Sequence, residues 1–222
     1  MDASDFWNIV DEARRTTASS MGDDSPTGEG AGDADWGAVA ERASALLAAR
    51  PVVEIVAAQQ VLWDLLAESY RAPLWAAAYT INGGCSDDGF DYFRGWLILQ
   101  GREVFERAVA DPDSLAELPE IRAAAEEWAE VDCERTLGIA WDAHRTATGQ
   151  DLPPGCFSIR YPQLDPSWGF DFDDWEELGR RLPRLAALYA KHVADRAGGS
   201  AAAGRPIQSE VGSVPSAVRP GC

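Results

Sequence analysis

The sequence predicts a mostly α-helical chain, a multi-helix single domain packed around one central buried helix, with one proline-rich irregular connection. Three observations carry this. Apolar residues recur at three- and four-residue spacing over most of the chain. Stop signals such as Asn82-Gly83-Gly84 and Asp111-Pro112-Asp113 fall between the periodic stretches. The run Trp96-Leu97-Ile98-Leu99 is apolar almost all round, as a helix enclosed on every side must be.

The first helix is expected from Ser4, a plausible N-cap, to about Thr17, with Phe6, Ile9, Val10 and Ala13 on one side. Residues 19–33 are rich in Gly, Asp and Ser and lack apolar spacing, which predicts a flexible connection. A second helix follows over 35–49. Pro51 sits at the first-turn position of a third, in which Val52, Ile55, Val56, Gln59, Leu62, Trp63 and Leu66 form a buried stripe. Residues 74–81 make a short apolar piece that ends at the paired glycines.

The segment 86–110 reads as one continuous helix, capped by Ser86 or Asp87, with Trp96 at the middle of the domain. Further helices are expected over 118–129, 131–148 and 173–197, the last capped by Asp173 or Asp174. Between 149 and 172 stand four prolines. A strand over 155–161 would lack a partner, so a packed irregular connection is expected there. The domain is thus drawn over 1–197, with a disordered tail over 198–222.

The block from Asn82 through Gly83-Gly84-Cys85-Ser86-Asp87-Asp88-Gly89-Phe90-Asp91-Tyr92-Phe93-Arg94-Gly95-Trp96 to Gln100-Gly101-Arg102-Glu103-Val104-Phe105 resembles a bacterial, mainly actinobacterial, domain-of-unknown-function family. The resemblance extends from Phe6-Trp7 to the region of Leu182-Pro183-Arg184-Leu185. It implies a shared fold and no activity. Leu99 stands where that family leads one to expect a small residue such as alanine.

Charge restricts the partners. A formal net charge of −18 repels phosphate backbones and anionic headgroups, which argues against nucleic-acid and membrane binding and for a basic protein partner. The acidic start Met1-Asp2-Ala3-Ser4-Asp5 is unlike a secretory signal, and a cytoplasmic location is expected. The four cysteines, Cys85, Cys133, Cys156 and Cys222, form no Cys-x-x-Cys pair and read as free thiols. No nucleotide-binding or common hydrolase motif is present, and neither cofactor nor metal is assigned. The oligomeric state is left open.

Six residues are candidates for a ligand site: Asp87, Asp88, Asp91, Arg94, Gln100 and Arg102. On one continuous helix Asp87, Asp91, Arg94 and Arg102 share a face, and Gln100 lies elsewhere on an apolar surface. The functional reading has Arg94 and Arg102 clasping an anion, with the Asp-Asp-x-x-Asp acids holding Mg²⁺. That spacing resembles isoprenoid synthases, but their second acidic motif is not found here. The structural reading makes the acids N-terminal caps and pairs Arg94 with Asp91 or Asp87, and Arg102 with a carboxylate of another helix such as Glu54, Asp64 or Glu68.

Cys85 beside a helix start invites a nucleophile reading, which the neighbouring acids oppose; a buried inert thiol is favoured. His144 and His192 receive no role. Trp168 to Trp175 bracket an acidic aromatic segment that either covers the core or meets a cationic partner, coverage being favoured. The leading function is therefore a non-catalytic acidic binding module for a basic protein or a small anionic ligand. The alternative is a small enzyme with an Asp/Arg site for an anionic substrate, Mg²⁺-assisted if the acids converge.

Overall fold

Helix boundaries fall where caps, prolines and glycines put them, and they are seen in a computed structural model that describes residues 1–21 and 35–191. The helices are α1 Ala3–Met21, α2 Trp36–Ala48, α3 Val52–Glu68, α4 Ala72–Asn82, α5 Asp87–Leu99, α6 Arg102–Ala110, α7 Pro119–Glu127, α8 Ile139–Thr148 and α9 Trp175–Arg181. Short 3₁₀ turns cover Pro112–Glu117, Glu134–Gly138 and Pro166–Trp168, and residues 183–191 are helical again. No strand occurs among the described residues, and residues 1–190 form one compact unit. Because α1 runs to Met21, residues 19–21 are helical and not part of the predicted connection. The rest of that connection, the predicted tail and His192 lie outside the described residues.

The central-helix expectation holds for α5. Phe90, Phe93, Trp96, Leu97, Ile98 and Leu99 are all fully buried, each contributing about 1.5–3 kcal/mol of apolar burial. Ser86 is its N-cap, its Oγ accepting from Gly89 N at 3.1 Å. Around it pack α2, α3, α4 and the turn at Glu134–Gly138, and Trp36 of α2 meets Trp96 edge-on at 6.4 Å. α8 packs against both α2 and α3, and α1 packs against α2.

Three predicted helices are corrected. The rod over 86–110 is two helices, because the chain breaks at Gln100-Gly101, where Gly101 adopts φ +86 and restarts the chain as the N-cap of α6. α6 is amphipathic and exposes Arg102, Glu103, Glu106 and Arg107. The helix expected over 131–148 begins only at 139, since the backbone at Val131 and Cys133 is bound by other elements. Val131 N donates to Asn82 Oδ1 at 2.9 Å, and Cys133 N donates to Tyr92 O at 3.0 Å. Gly95 permits this approach to α5, for a Cβ there would stand 2.7 Å from Cys133 O. The helix expected over 173–197 is interrupted at Leu182, ahead of Pro183, which offers no N–H and bars a helical conformation before it. Asp174 caps α9, accepting from Glu177 N at 3.0 Å.

The connection over 149–172 is irregular, as expected, and it is laid across α3. Gln60 Oε1 accepts from Ser158 N at 2.8 Å, Phe157 stacks on Trp63, and Arg160 pairs with Asp64 at 2.7 Å.

Candidate functional site

The six candidate residues separate into three environments. Asp87 and Asp88 lie exposed in the first turn of α5, where a carboxylate meets the positive end of the helix dipole. Asp91 and Arg94 form an ion pair one turn further on. Gln100 and Arg102 flank the break beyond Leu99. Arg102 therefore leaves the face of Arg94; it pairs with Glu106 of its own helix at 2.7 Å, while Glu68 of α3, one of the expected acids, acts on it only through its charge.

Arg94 is 1% exposed, and each of its three side-chain nitrogens donates to a protein oxygen. Nε reaches Phe90 O at 3.3 Å, Nη1 reaches Leu66 O, and Nη2 reaches Asp91 Oδ1. Leu66 lies in the last turn of α3, and its carbonyl takes the guanidinium beside the Ser69 hydroxyl, so Arg94 helps cap α3 from α5. The Phe90 and Tyr70 rings lie 4.6 and 5.1 Å from its centre and exclude water from it. Burial pulls the Arg94 pKa down against the opposing pull of Asp91, and burial raises Asp91 against the opposing pull of Arg94. This arrangement ties two helices together and leaves no nitrogen of Arg94 without a protein partner. Among the described residues no three His, Cys, Asp or Glu side chains converge as metal ligands.

A second environment arises where distant acidic stretches meet the C-terminal end of α4. Asn82 grips Val131 through both amide atoms, Nδ2 donating to Val131 O at 3.2 Å while Oδ1 accepts from Val131 N. One turn back on α4, the Tyr79 hydroxyl donates to Asp173 at 2.8 Å and its ring meets Phe172 edge-on. Residues 126–134 and 171–177 are thus each fastened to the same end of α4, and neither stretch contains a Lys or Arg. Glu126, Glu127, Glu130, Asp132, Glu134, Asp171, Asp173, Asp174 and Glu176 are exposed on them. Tyr92 donates to Glu134 at 3.3 Å, and its pKa is raised chiefly by Glu134 and also by Asp88, so the start of α5 shares the same field. Burial, then Glu130 and Glu134, raise Asp132. Amid these acids Trp128 is 36% exposed and ends α7 with φ +55, a conformation rare for an aromatic residue.

Over residues 1–146 the chain matches the family described as "Protein of unknown function (DUF4240)". The chain belongs to the DUF4240 family. Neither curated proteins nor solved structures gave a match. The DUF4240 match spans the whole block from Asn82 to Phe105 and ends within α8; the acidic aromatic segment lies beyond it.

Other candidates of this DUF4240 chain have structural surroundings. Cys85 is half-buried, and its thiol is pushed up to about 12 by burial first, with Asp87 and Asp91 adding to the rise and Arg94 opposing it. Its carbonyl accepts from Trp75 Nε1 at 3.1 Å. Cys133 and Cys156 are free thiols. His144 is buried, its Nδ1 lying 2.9 Å from Gln150 O at the end of α8. Trp168, Phe170, Phe172 and Trp175 pack against the core, and the cation over Trp168 and Phe170 is the protein's own Arg181, at 4.7 and 4.9 Å. No helix among the described residues is long and apolar enough to cross a membrane.

Sequence spacing alone missed Asn82 and Tyr79 as fasteners, because their partners lie 49 and 94 residues away. It also missed Asp11 and Arg14 of α1, which border Gly101.

Proposed function

We propose that this DUF4240 chain is a cytoplasmic, non-catalytic binding module that recognises a basic protein through the acidic face at the end of α4. The observation that carries the reading is the fastening of two acidic stretches to neighbouring turns of one helix, by Asn82 and by Tyr79. Like charges repel, so this juxtaposition is opposed by electrostatics and held by hydrogen bonds. The exposed Trp128 gives the face an apolar anchor of the kind that interfaces concentrate. The Asn82–Phe105 block, which we take as the signature of a mainly actinobacterial family, serves this reading as the platform. Asn82 and Tyr92 hold the 131–134 segment, and Arg94 locks α5 beneath it.

The reading favours a partner over an anionic substrate because Arg94 already serves three protein acceptors and Arg102 stands on another helix. The test is quantitative affinity capture from the native host with three chains. They are the wild type, the Glu130→Lys/Asp132→Lys variant, and a control of equal charge change, Glu103→Lys/Asp142→Lys. Basic proteins are expected on the wild type and the control and should be lost from the face variant, with retention falling as salt is raised. Equal loss from both variants, or no basic protein on the wild type, refutes it.

A further inference from the structure

Where α5 gives way to α6, a polar cleft of about 690 Å³ opens, lined by Asp11 and Arg14 of α1 and by Gln100, Gly101 and the first turn of α6. Trp7 packs on Phe105 at 5.4 Å and seats α1 against α6. Gly101, lacking a side chain, lets α1 close in; a Cβ there would stand 2.8 Å from Arg14 Nη1 and 3.1 Å from Asp11 Oδ1. These two opposite charges approach the same backbone position, yet neither side chain has an ion pair or hydrogen bond among the described residues. The other arginines of the cleft are engaged, Arg102 with Glu106 and Arg107 with Glu117.

Two further observations point to a ligand. First, α6 begins without a capping side chain. Phe105 N is the earliest amide to find a helical carbonyl, Gly101 O at 3.0 Å, so the N–H groups of Arg102, Glu103 and Val104 stand open at the positive end of the helix. Second, Gln100 is 2% exposed, and it lines the cleft. Its Nε2 donates a long hydrogen bond to Trp96 O at 3.5 Å, and Oε1 has no donor among the described residues.

We propose that the cleft binds a small zwitterion, an α-amino acid with an apolar side chain. The carboxylate takes the open amides of α6 and the Arg14 guanidinium, while the ammonium takes Asp11 and Gln100 Oε1. Asp11 and Arg14 also border an apolar cavity of about 580 Å³ between α1 and α2, walled by Trp36 and Val39, which accepts the side chain. The site draws no residue from the acidic face of the preceding section.

The experiment is calorimetric titration of the full chain with L-leucine and L-phenylalanine. Two single-charge analogues, 3-phenylpropionate and phenethylamine, are run beside them. Saturable one-to-one binding of at least one amino acid is expected, with each analogue weaker by tenfold or more. Arg14→Gln and Asp11→Asn, checked for native circular dichroism, are each expected to weaken it by tenfold or more. No saturable binding of either amino acid up to about 10 mM overturns the proposal. So does equal binding of an analogue, which needs no variant to fold, or binding unchanged in both variants. Retention of binding in the Glu130→Lys/Asp132→Lys chain is expected, and its loss there counts against a site separate from the acidic face.

Discussion

Replacing Arg94 by methionine tests whether this arginine serves the fold or a ligand. The substitution keeps an unbranched apolar stem and removes the guanidinium, so Asp91 loses its partner and Leu66 O loses its cap. Breaking a buried ion pair from one side costs about 3–5 kcal/mol, because the remaining charge is left without compensation. Two features place the expected cost near the lower bound. The Asp91 side chain is 17% exposed and draws partly on water, and Leu66 O still accepts from Ser69 Oγ at 3.2 Å. About 3 kcal/mol is therefore expected at neutral pH, read as a lower urea midpoint with an unchanged slope.

The deficit should depend on pH in a stated direction. Burial already raises Asp91 in the folded protein, and loss of Arg94 removes the pull that opposes this rise. A carboxyl whose folded pKa is raised favours folding when protonated, and that contribution is lost as pH rises through the folded value. The deficit of Arg94→Met should thus shrink towards the unfolded pKa of about 3.9 and be complete by neutrality. Adding Asp91→Leu, which removes the orphaned charge, should recover part of the loss at pH 7. A deficit below about 1 kcal/mol, or a double variant as unstable as the two single losses added together, would refute the reasoning.

Two other outcomes follow from the same packing. Gly95→Ala should destabilise by about 1–3 kcal/mol, since its Cβ would meet a backbone oxygen, Cys133 O, that is fixed by its neighbours; urea unfolding measures it. Cys85, with its thiol pushed up to about 12, should react with iodoacetamide at pH 8 far more slowly than a free cysteine. Mass spectrometry of the tryptic peptide over time checks this, and labelling at the free-thiol rate would contradict it.

The parts of the structure legible in the sequence were those governed by local rules. The burial of α5 could be read from its all-round apolar middle, and its start from Ser86 ahead of two aspartates. The irregular run after Gly149 announced itself by its prolines. The break at Gly101 did not, because a glycine inside a helical pattern is tolerated at about 1 kcal/mol and the spacing of Arg102 with Glu106 continues the helical rhythm. That one unread turn governed the site prediction, for a stripe from Asp87 to Arg102 exists only on an unbroken rod. Residues 131–138 likewise carry helical spacing, but the amides of Val131 and Cys133 are taken by Asn82 and Tyr92, partners that no local pattern reveals. Coverage of the core by Trp168 and Phe170 was readable, whereas the identity of their cation, Arg181, needed the fold.

The acidic face can be tested by what it costs. If it serves binding, removing one of its charges should stabilise the protein, because a surface shaped for a partner is not shaped for the lowest folding energy. Asp132 is the best probe. Burial, Glu130 and Glu134 all raise its pKa, and its side chain makes no ion pair among the described residues. Its charge therefore opposes folding once pH exceeds the folded pKa, and the penalty vanishes below the unfolded value of about 3.9. Asp132→Asn should accordingly raise the urea midpoint at pH 7 and low salt, by a few tenths to about 1 kcal/mol for a group this exposed, with no gain near pH 3. Added salt should shrink the gain, since it screens the repulsion that the substitution relieves. A substitution that destabilises at every pH would mean that Asp132 has a favourable partner in the fold. The crowding of acids around Asn82 and Tyr79 would then be ordinary surface structure, and the argument for a basic partner would lose its physical ground.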